Sequence, residues 1–249
     1  LSSGPEPSFW RAPTDNDFGN NFHKLANVWR TAGLNTRVKN VTVNEQPGKV
    51  VVKVDMLLKD VSSDYTLEYT CLADGSLQVK VNYQAGAQEL PELPRFGNLF
   101  TLDRRFDKVT WYGRGPWENY SDRNTASFLG IHERMVADMY EPYIRPQEMG
   151  YRTDTRWVSL TDATGHGIRV EGLQPVCFSA LFNRSEDMDP GLTKKQQHPT
   201  DVIPRNNVFL QIDLNQRGVG GDTSWGALPH EPYRMQAKSY SYGYIIKAL

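Results

Sequence analysis

The feature that most restricts the fold of this sequence is an alternation of apolar and polar residues with a period of two. The clearest example is a hairpin, in which apolar residues at every second position of 65–71 and of 77–83 flank a turn at 73–75. Such alternation is typical of strands with one buried face, whereas an amphipathic helix repeats every 3.6 residues. Similar patterns occur at 50–55, 157–160, 168–170, 176–182, 208–214 and 240–246. Together they predict about a dozen or more strands.

These strands follow one another without intervening helices, which argues against parallel pairs, because a parallel pair needs a long crossover connection. The sequence therefore predicts an all-β fold, a large antiparallel sandwich. Because it contains no repeat, low-complexity tract or linker, residues 1–249 are expected to form a single domain. Two segments, 111–147 and 184–206, are expected to connect strands. The second is polar and interrupted by prolines, so it should run over the surface.

One short helix is predicted near the N-terminus, within residues 20–34. Phe22, Leu25 and Trp29 recur there at helical spacing, and Gly33 stands where a residue following the helix end is expected. It is the only helix that the sequence predicts.

Composition narrows the range of partners. A net charge of −1 and a pI near 6.6 give no electrostatic reason to expect binding to nucleic acid or to an anionic membrane. No apolar run approaches the roughly 20 residues that span a bilayer. The first residues, LSSGPEP, lack the pattern of a secretory signal and begin without Met. We therefore expect a processed chain or a piece of a longer one, and its compartment is not predicted.

No metal site or cofactor is expected. The sequence lacks a phosphate-binding loop, a dinucleotide fingerprint and a Ser/His/Asp arrangement, and its histidines do not have the spacing of metal ligands. The histidines are His23, His132, His166, His198 and His230. Cys71 and Cys177 both lie in strand-like patterns, so two buried free thiols are predicted.

The segment 216–233 has the composition of a shaped loop. Gly218, Gly220 and Gly221 allow backbone angles closed to other residues, and its two prolines fix φ. In its middle stands Trp225, between the small residues Ser224 and Gly226. A flat apolar ring with one N–H donor can stack on the C–H face of a sugar or fill a core. Its place on a loop favours contact with a ligand.

Three further segments concentrate polar side chains, which either line a pocket or brace their own loops. Residues 8–19 include Asp15 and Asn16 around a proline turn, where mutual hydrogen bonding is the simpler interpretation. Residues 111–123 include Arg114, Glu118 and Asn119, and here an internal ion-pair lattice is favoured over a ligand site. The third segment, 138–150, includes Glu148, and bracing is again favoured.

A glycosidase needs two carboxyl groups about 5–5.5 Å apart for retention or about 6.5–9.5 Å apart for inversion. Glu118, Glu148 and Asp222 are the candidates in this sequence. Because nothing in the sequence fixes their separations, it gives little support to an active site made by this chain alone.

Four of these stretches carry a resemblance: FWRAPTDND (9–17), YGRGPWENYSDR (112–123), DMYEPYIRPQEMG (138–150) and GVGGDTSWGALPH (218–230). In this order they resemble the C-terminal domain of bacterial β-galactosidases of glycoside hydrolase family 2, over essentially the whole chain. In some bacteria the same domain is a separate small subunit. His198, within His198-Pro199-Thr200-Asp201, lies in the one family-like part of the segment 184–206.

The resemblance implies a galactose-mutarotase-like super-sandwich. It also implies that the catalytic acid and nucleophile, both Glu, lie in a TIM-barrel portion of the enzyme, in cis or as a large subunit. Trp225 matches a tryptophan that reaches the barrel's active site and forms a platform for the aglycone. The resemblance also implies a galactoside substrate and an oligomeric bacterial enzyme, which would lie in the cytoplasm or the periplasm. No catalytic, metal or cofactor role is carried over to this chain.

Two other functions stay open at this point. A free-standing sugar-binding module would use Trp225 together with Trp117 and Tyr140. A mutarotase-like epimerase would use His and Glu side chains in a cleft of the sandwich.

Overall fold

In a computed structural model, which describes residues 1–223 and 226–249, twelve strands join one antiparallel sheet. They are β1 Ser3–Ser8, β2 Thr36–Gln46, β3 Lys49–Leu58, β4 Ser63–Leu72, β5 Leu77–Gln84, β6 Arg95–Asp103, β7 Lys108–Gly115, β8 Phe128–Met135, β9 Arg152–Thr161, β10 Gly167–Leu181, β11 Asn207–Gln216 and β12 Tyr240–Ala248. The sheet curls into a sandwich-like fold, so the all-β, antiparallel prediction is confirmed.

The strand order is β1-β6-β11-β10-β12-β5-β4-β3-β2, with β9 pairing both β10 and β7, and β8 pairing β7. The long strand β10 joins these parts. Residues 168–172 of β10 pair β12, whereas residues 177–181 pair β11. The sequence patterns at 168–170 and 176–182 therefore belong to one strand rather than two. The predicted hairpin around residues 73–75 is the β4–β5 pair, in the expected register.

The predicted helix is replaced by three short helices, α1 Asp15–Gly19, α2 Phe22–Leu25 and α3 Trp29–Ala32. The first begins earlier than expected because Thr14 and Asp17 form a capping box at its start. Asn21 has a left-handed φ of 61°, which interrupts the helical backbone between α1 and α2. Single turns of 3₁₀ helix lie at Lys59–Val61, Val136–Met139, Ser185–Asp187, Pro199–Asp201 and Glu231–Tyr233.

The two predicted connections had different outcomes. The interpretation of 111–147 as a connection was wrong in part, because β7 continues to Gly115 and β8 lies within the segment. Strand β8 was not predicted because its apolar residues, such as Phe128 and Ile131, are exposed and do not alternate regularly. Segment 184–206 holds only 3₁₀ turns and no strand among the described residues, and Met188 and Val202 anchor it to the core.

The core follows the strand alternation. On β6, Phe96, Asn98 and Phe100 are buried on one face. The buried Asn98 amide is fully used: its Nδ2 donates to the Tyr65 hydroxyl (2.8 Å), and its Oδ1 accepts from the hydroxyls of Tyr242 (3.0 Å) and Tyr244 (2.9 Å). A buried polar side chain is tolerated in a core when its donors and acceptors are paired in this way.

The thiol prediction was half right. Both cysteines are free, and Cys177 is buried, but Cys71 is exposed. Cys71 lies at the end of β4 beside the 73–75 turn, where the neighbouring end of β2 is exposed and that of β3 is mostly half-buried. Alternation predicts which face a residue takes, and it does not predict how far the core extends along the strand.

Candidate functional site

The Gly-rich loop leaves the sheet at the end of β11, and its first part, residues 216–220, is called here the loop base. Segment 8–19 binds it from one side. The Arg11 guanidinium donates to the Gly218 carbonyl (3.1 Å) and to the Arg217 carbonyl, and Asn16 Nδ2 donates to the Val219 carbonyl (2.7 Å). Backbone groups that would otherwise need water are thus paired with side chains of a distant segment.

A buried ion pair holds Arg11 in place. Arg11 Nη2 lies 3.0 Å from Asp17 Oδ1, and both side chains are nearly inaccessible. Arg217 Nη1 lies 3.6 Å from the same oxygen, and Thr14 N donates to Asp17 Oδ2 (3.0 Å). A charge buried this deeply is stable only when it is paired and hydrogen-bonded, so the loop base depends on the pairing of Arg11 with Asp17.

Segment 111–123 binds the loop base from the other side. Asp122 Oδ2 accepts from the Gly220 backbone N–H at 2.8 Å. A Cβ at Gly218 would lie 2.6 Å from that same oxygen, closer than van der Waals contact allows. The glycine at 218 is therefore explained by close approach to Asp122.

Glu118 links segment 111–123 to segment 138–150. Its carboxylate accepts from Arg123 Nη2 (2.7 Å), the Gly150 N–H (2.8 Å), the Tyr120 hydroxyl (3.3 Å) and the Tyr143 hydroxyl. Burial, together with the neighbouring Glu118, raises the pKa of Tyr143 to about 12, so this phenol stays a donor at neutral pH. Four donors occupy the carboxylate, which makes it a brace between two loops.

Asn119 and Arg114 make different contacts. Asn119 is buried, and its Oδ1 accepts from the Thr153 backbone N–H (3.0 Å) and hydroxyl (2.6 Å), which fixes segment 111–123 to β9. Arg114 Nε donates to Asp154 Oδ2 at 2.5 Å. Arg114 is therefore paired outside its own segment, and the expected internal lattice is reduced to the Glu118–Arg123 pair.

Glu148 lies beneath the loop base. Its Oε1 accepts from Arg95 Nη2 (3.0 Å) and from Gln216 Nε2 (3.3 Å), and its backbone N–H donates to the Ala12 carbonyl (3.2 Å). Arg95 also donates to Asp213 Oδ2 at 3.0 Å. Burial raises the pKa of Asp213 to about 6, although the Arg95 charge acts in the opposite direction. Side chains of β6 and β11 thus hold segments 8–19 and 138–150 against the sheet.

A shallow cleft of about 110 Å³ marks the place where the four motifs meet. Its lining includes Asp15 and Asn16 from the first motif, Tyr120 from the second, Glu148 from the third and Val219 from the fourth. Partial burial would raise the pKa of Asp15, but hydrogen bonds from Arg145, Gln147 and Lys194, with the Arg145 charge, lower it below its ordinary value. The cleft therefore carries an ionised carboxylate at neutral pH.

Asp222 and His198, two further candidates, do not line this cleft. Asp222 is exposed and pairs with His230 at 2.9 Å. His198 is also exposed and begins the 3₁₀ turn Pro199–Asp201, where its N–H donates to Asp201 Oδ2 (2.8 Å). Trp225, the central residue of the sequence-based hypothesis, lies outside the described residues.

Arg95, Asp213 and Gln216 hold the motifs on the sheet, and none of them was predicted as a site residue. The signal was present as Asp213, the one charged residue of strand β11. A metal centre receives no support, since no group of three or more His, Cys, Asp or Glu suited to one occurs in residues 1–223 and 226–249. Within the same ranges, no helix is both long and apolar enough to cross a membrane.

Comparison with known proteins gives a match over nearly the whole chain. A family model described as β-galactosidase small chain matches residues 1–246. Curated relatives named β-galactosidase are 38% identical over 250 residues in Priestia megaterium and 36% identical over 243 residues in Halalkalibacterium halodurans. These alignments cover 100% and 95% of this chain but only 24% and 23% of the relatives. The chain thus spans about a quarter of the length of the curated relatives it matches.

Proposed function

The chain belongs to the β-galactosidase small-chain family, and from that membership we propose that it completes the active site of a β-galactosidase. In this proposal the intact enzyme hydrolyses terminal β-D-galactose residues. The catalytic acid and nucleophile are supplied by a TIM-barrel portion, in cis or as a large subunit. This chain contributes the Trp225 loop as an aromatic platform for the aglycone, and it helps to stabilise an oligomeric assembly.

The observation that carries the proposal is the convergence of the four motifs on the loop base. Arg11, Asn16 and Asp122 come from two distant segments, yet all bind the backbone of residues 217–220. These hydrogen bonds to the loop base support a role that requires the loop to be held in a defined position. An aromatic ring carried by such a loop would meet a sugar with little loss of conformational entropy.

The contacts made by Glu118, Glu148 and Asp222 support a catalytic centre outside this chain. Glu118 is occupied by four donors, and Glu148 is buried in an ion pair with Arg95. A general acid must exchange a proton with the leaving group during each turnover. Neither carboxylate has the freedom that this requires, and Asp222 lies exposed beside His230. This supports the proposal that the catalytic pair lies in the barrel portion.

Complementation tests the proposal directly. The 249-residue chain, the matching barrel portion and their mixture are each assayed with a nitrophenyl β-galactoside. Activity is expected only in the mixture. Hydrolysis by the chain alone, or a barrel portion equally active without it, would contradict the proposal. Acceleration of galactose mutarotation by the chain alone would instead favour an epimerase.

Trp225→Ala in the intact enzyme tests the platform. Loss of a buried aromatic contact is worth about 1–3 kcal/mol, so binding of glucose and of lactose should weaken correspondingly. Trp117→Ala is the matched control, because Trp117 is 60% exposed in the neighbouring motif. Equal affinities in wild type and Trp225→Ala would rule out the platform. A loss in Trp117→Ala with binding by the chain alone would favour a sugar-binding module.

A further inference from the structure

A cavity of about 480 Å³ lies on the face of β6, β11 and β10 opposite to the buried residues Phe100, Leu210 and Ala180. It is covered by α3, by β1 and by residues 183–195. Exposed side chains such as Glu186 lie at its mouth, so the cavity communicates with the surface. Its volume falls within the range of about 300–1,000 Å³ that is common for small-molecule sites.

Strand register builds the floor of the cavity. Leu99 on β6 is opposite Gln211 on β11, which in turn is opposite Ser179 on β10. In the next row, Phe209 is opposite Leu181. Because side chains two apart on a strand share a face, these residues all point to the cavity side. The floor therefore presents the Ser179 hydroxyl beside apolar surface, together with the Gln211 amide, which also accepts from Ser8 (3.2 Å) and donates to Asp213. Such a mixture of polar and apolar groups fits a sugar ring.

The walls are aromatic and carry charged groups held in place. Arg30 lies 4.5 Å above the Trp10 ring, and Trp10 Nε1 donates to Asp189 Oδ2 at 2.8 Å. Arg184 lies 5.1 Å from the Phe209 ring centre and bonds Glu6 at 3.1 Å. These contacts fix the side chains before any ligand arrives, which lowers the entropic cost of binding.

One wall donor has no acceptor in the described part of the chain. Arg30 Nη2 is buried, and no hydrogen-bond partner for it occurs in residues 1–223 and 226–249. Arg30 lines the cavity, so a ligand oxygen bound there can accept from this donor.

The charges lining the cavity balance. Its acids are Glu6, Glu148, Glu186 and Asp189, and its bases are Arg30, Arg95, Arg184 and Lys195. An anionic ligand such as a sugar phosphate would meet as many carboxylates as cations. We propose that this cavity is a second carbohydrate site, which binds a neutral mono- or disaccharide between the aromatic walls and the polar floor.

The proposal for this cavity does not depend on the proposed Trp225 platform. Glu148 is the one residue that lines both the cavity and the cleft at the loop base, among the residues the structure describes, and its carboxylate is fixed by Arg95. The site is proposed for binding rather than catalysis. No histidine occurs in the described lining, and Glu148 is committed to an ion pair.

The test uses the intact enzyme and counts bound sugar. Equilibrium dialysis with labelled galactose and glucose should give one bound sugar more per chain in wild type than in Ser179→Leu, which fills the floor. Ser241→Leu, on an exposed position of β12, is the matched control and should bind as wild type does. Crystals soaked in the same sugars should show density between Trp10 and Gln211, and glucose 6-phosphate should give none.

Arg30→Lys provides a second test if Ser179→Leu is unstable, because lysine keeps the charge that pairs with Asp189 and lacks the second terminal guanidinium nitrogen. Removing the unpaired donor should weaken binding at this site by about tenfold, the loss usual for one charge-assisted hydrogen bond. Galactoside hydrolysis by both variants should keep the wild-type KM, which separates this site from the proposed platform. Equal binding numbers in all proteins, or sugar density only outside the cavity, would overturn the inference.

Discussion

Replacing Arg11 with methionine should destabilise the protein by about 3–5 kcal/mol, the cost of breaking a buried ion pair on one side. Its guanidinium lies 3.0 Å from Asp17 Oδ1 and 3.3 Å from Asp17 Oδ2, and neither residue is more than 2% exposed. The carbonyls of Arg217 and Gly218 would each lose a donor, at about 0.5–1.5 kcal/mol apiece. Arg217, 3.6 Å from Asp17, compensates in part and keeps the total within this range.

The measurement is urea unfolding of wild type and Arg11→Met, followed by tryptophan fluorescence and circular dichroism. Arg205→Met is the control, since Arg205 pairs bidentately with Asp187 in a similar geometry but is 42% exposed. An exposed pair contributes about 0–1 kcal/mol, so the control should stay close to wild type. If Arg11→Met lost less than about 1 kcal/mol, the loop base would not rest on this ion pair.

Two further predictions concern other parts of the molecule. A thiol reagent should label one cysteine in the native protein, Cys71, because burial raises the pKa of Cys177 to about 12; labelling that survives Cys71→Ser would contradict this. Burial would raise the pKa of Glu92, but hydrogen bonds from Arg234 and Arg217 lower this pKa below its ordinary value. The ionised Glu92 therefore stabilises the folded protein above its ordinary pKa, and this stabilisation is lost as pH falls. Melting temperatures from about pH 5 to about pH 3 should therefore fall more steeply for wild type than for Glu92→Gln, and parallel curves would refute the assignment.

Alternation of apolar residues was sufficient to predict the antiparallel sheet, because a strand with one buried face has an apolar residue at every second position. It missed β8, whose Phe128 and Ile131 are exposed and which is held to β7 through backbone pairing. It also placed one helix where three occur, since a left-handed residue such as Asn21 carries no periodic signal.

The site was predictable only as a set of segments. Their polar composition indicated that residues 8–19, 111–123 and 138–150 brace loops or line a pocket, but composition could not supply partners distant in the chain. Arg114 pairs with Asp154, and Glu148 pairs with Arg95, both outside the motifs. Such pairings depend on which strands become neighbours, and that follows from the topology of the whole sheet.

The pairing of β5 with β12 has a consequence for synthesis of the chain. Strands β2 to β5 can form a meander as soon as they have been made, but the outer edge of β5 is paired by residues 240–246. During translation that edge therefore exposes unpaired amides and carbonyls until residues 240–246 have left the ribosome. Closure of this sheet therefore waits for β12, and the nascent meander carries an open edge until that strand pairs with β5.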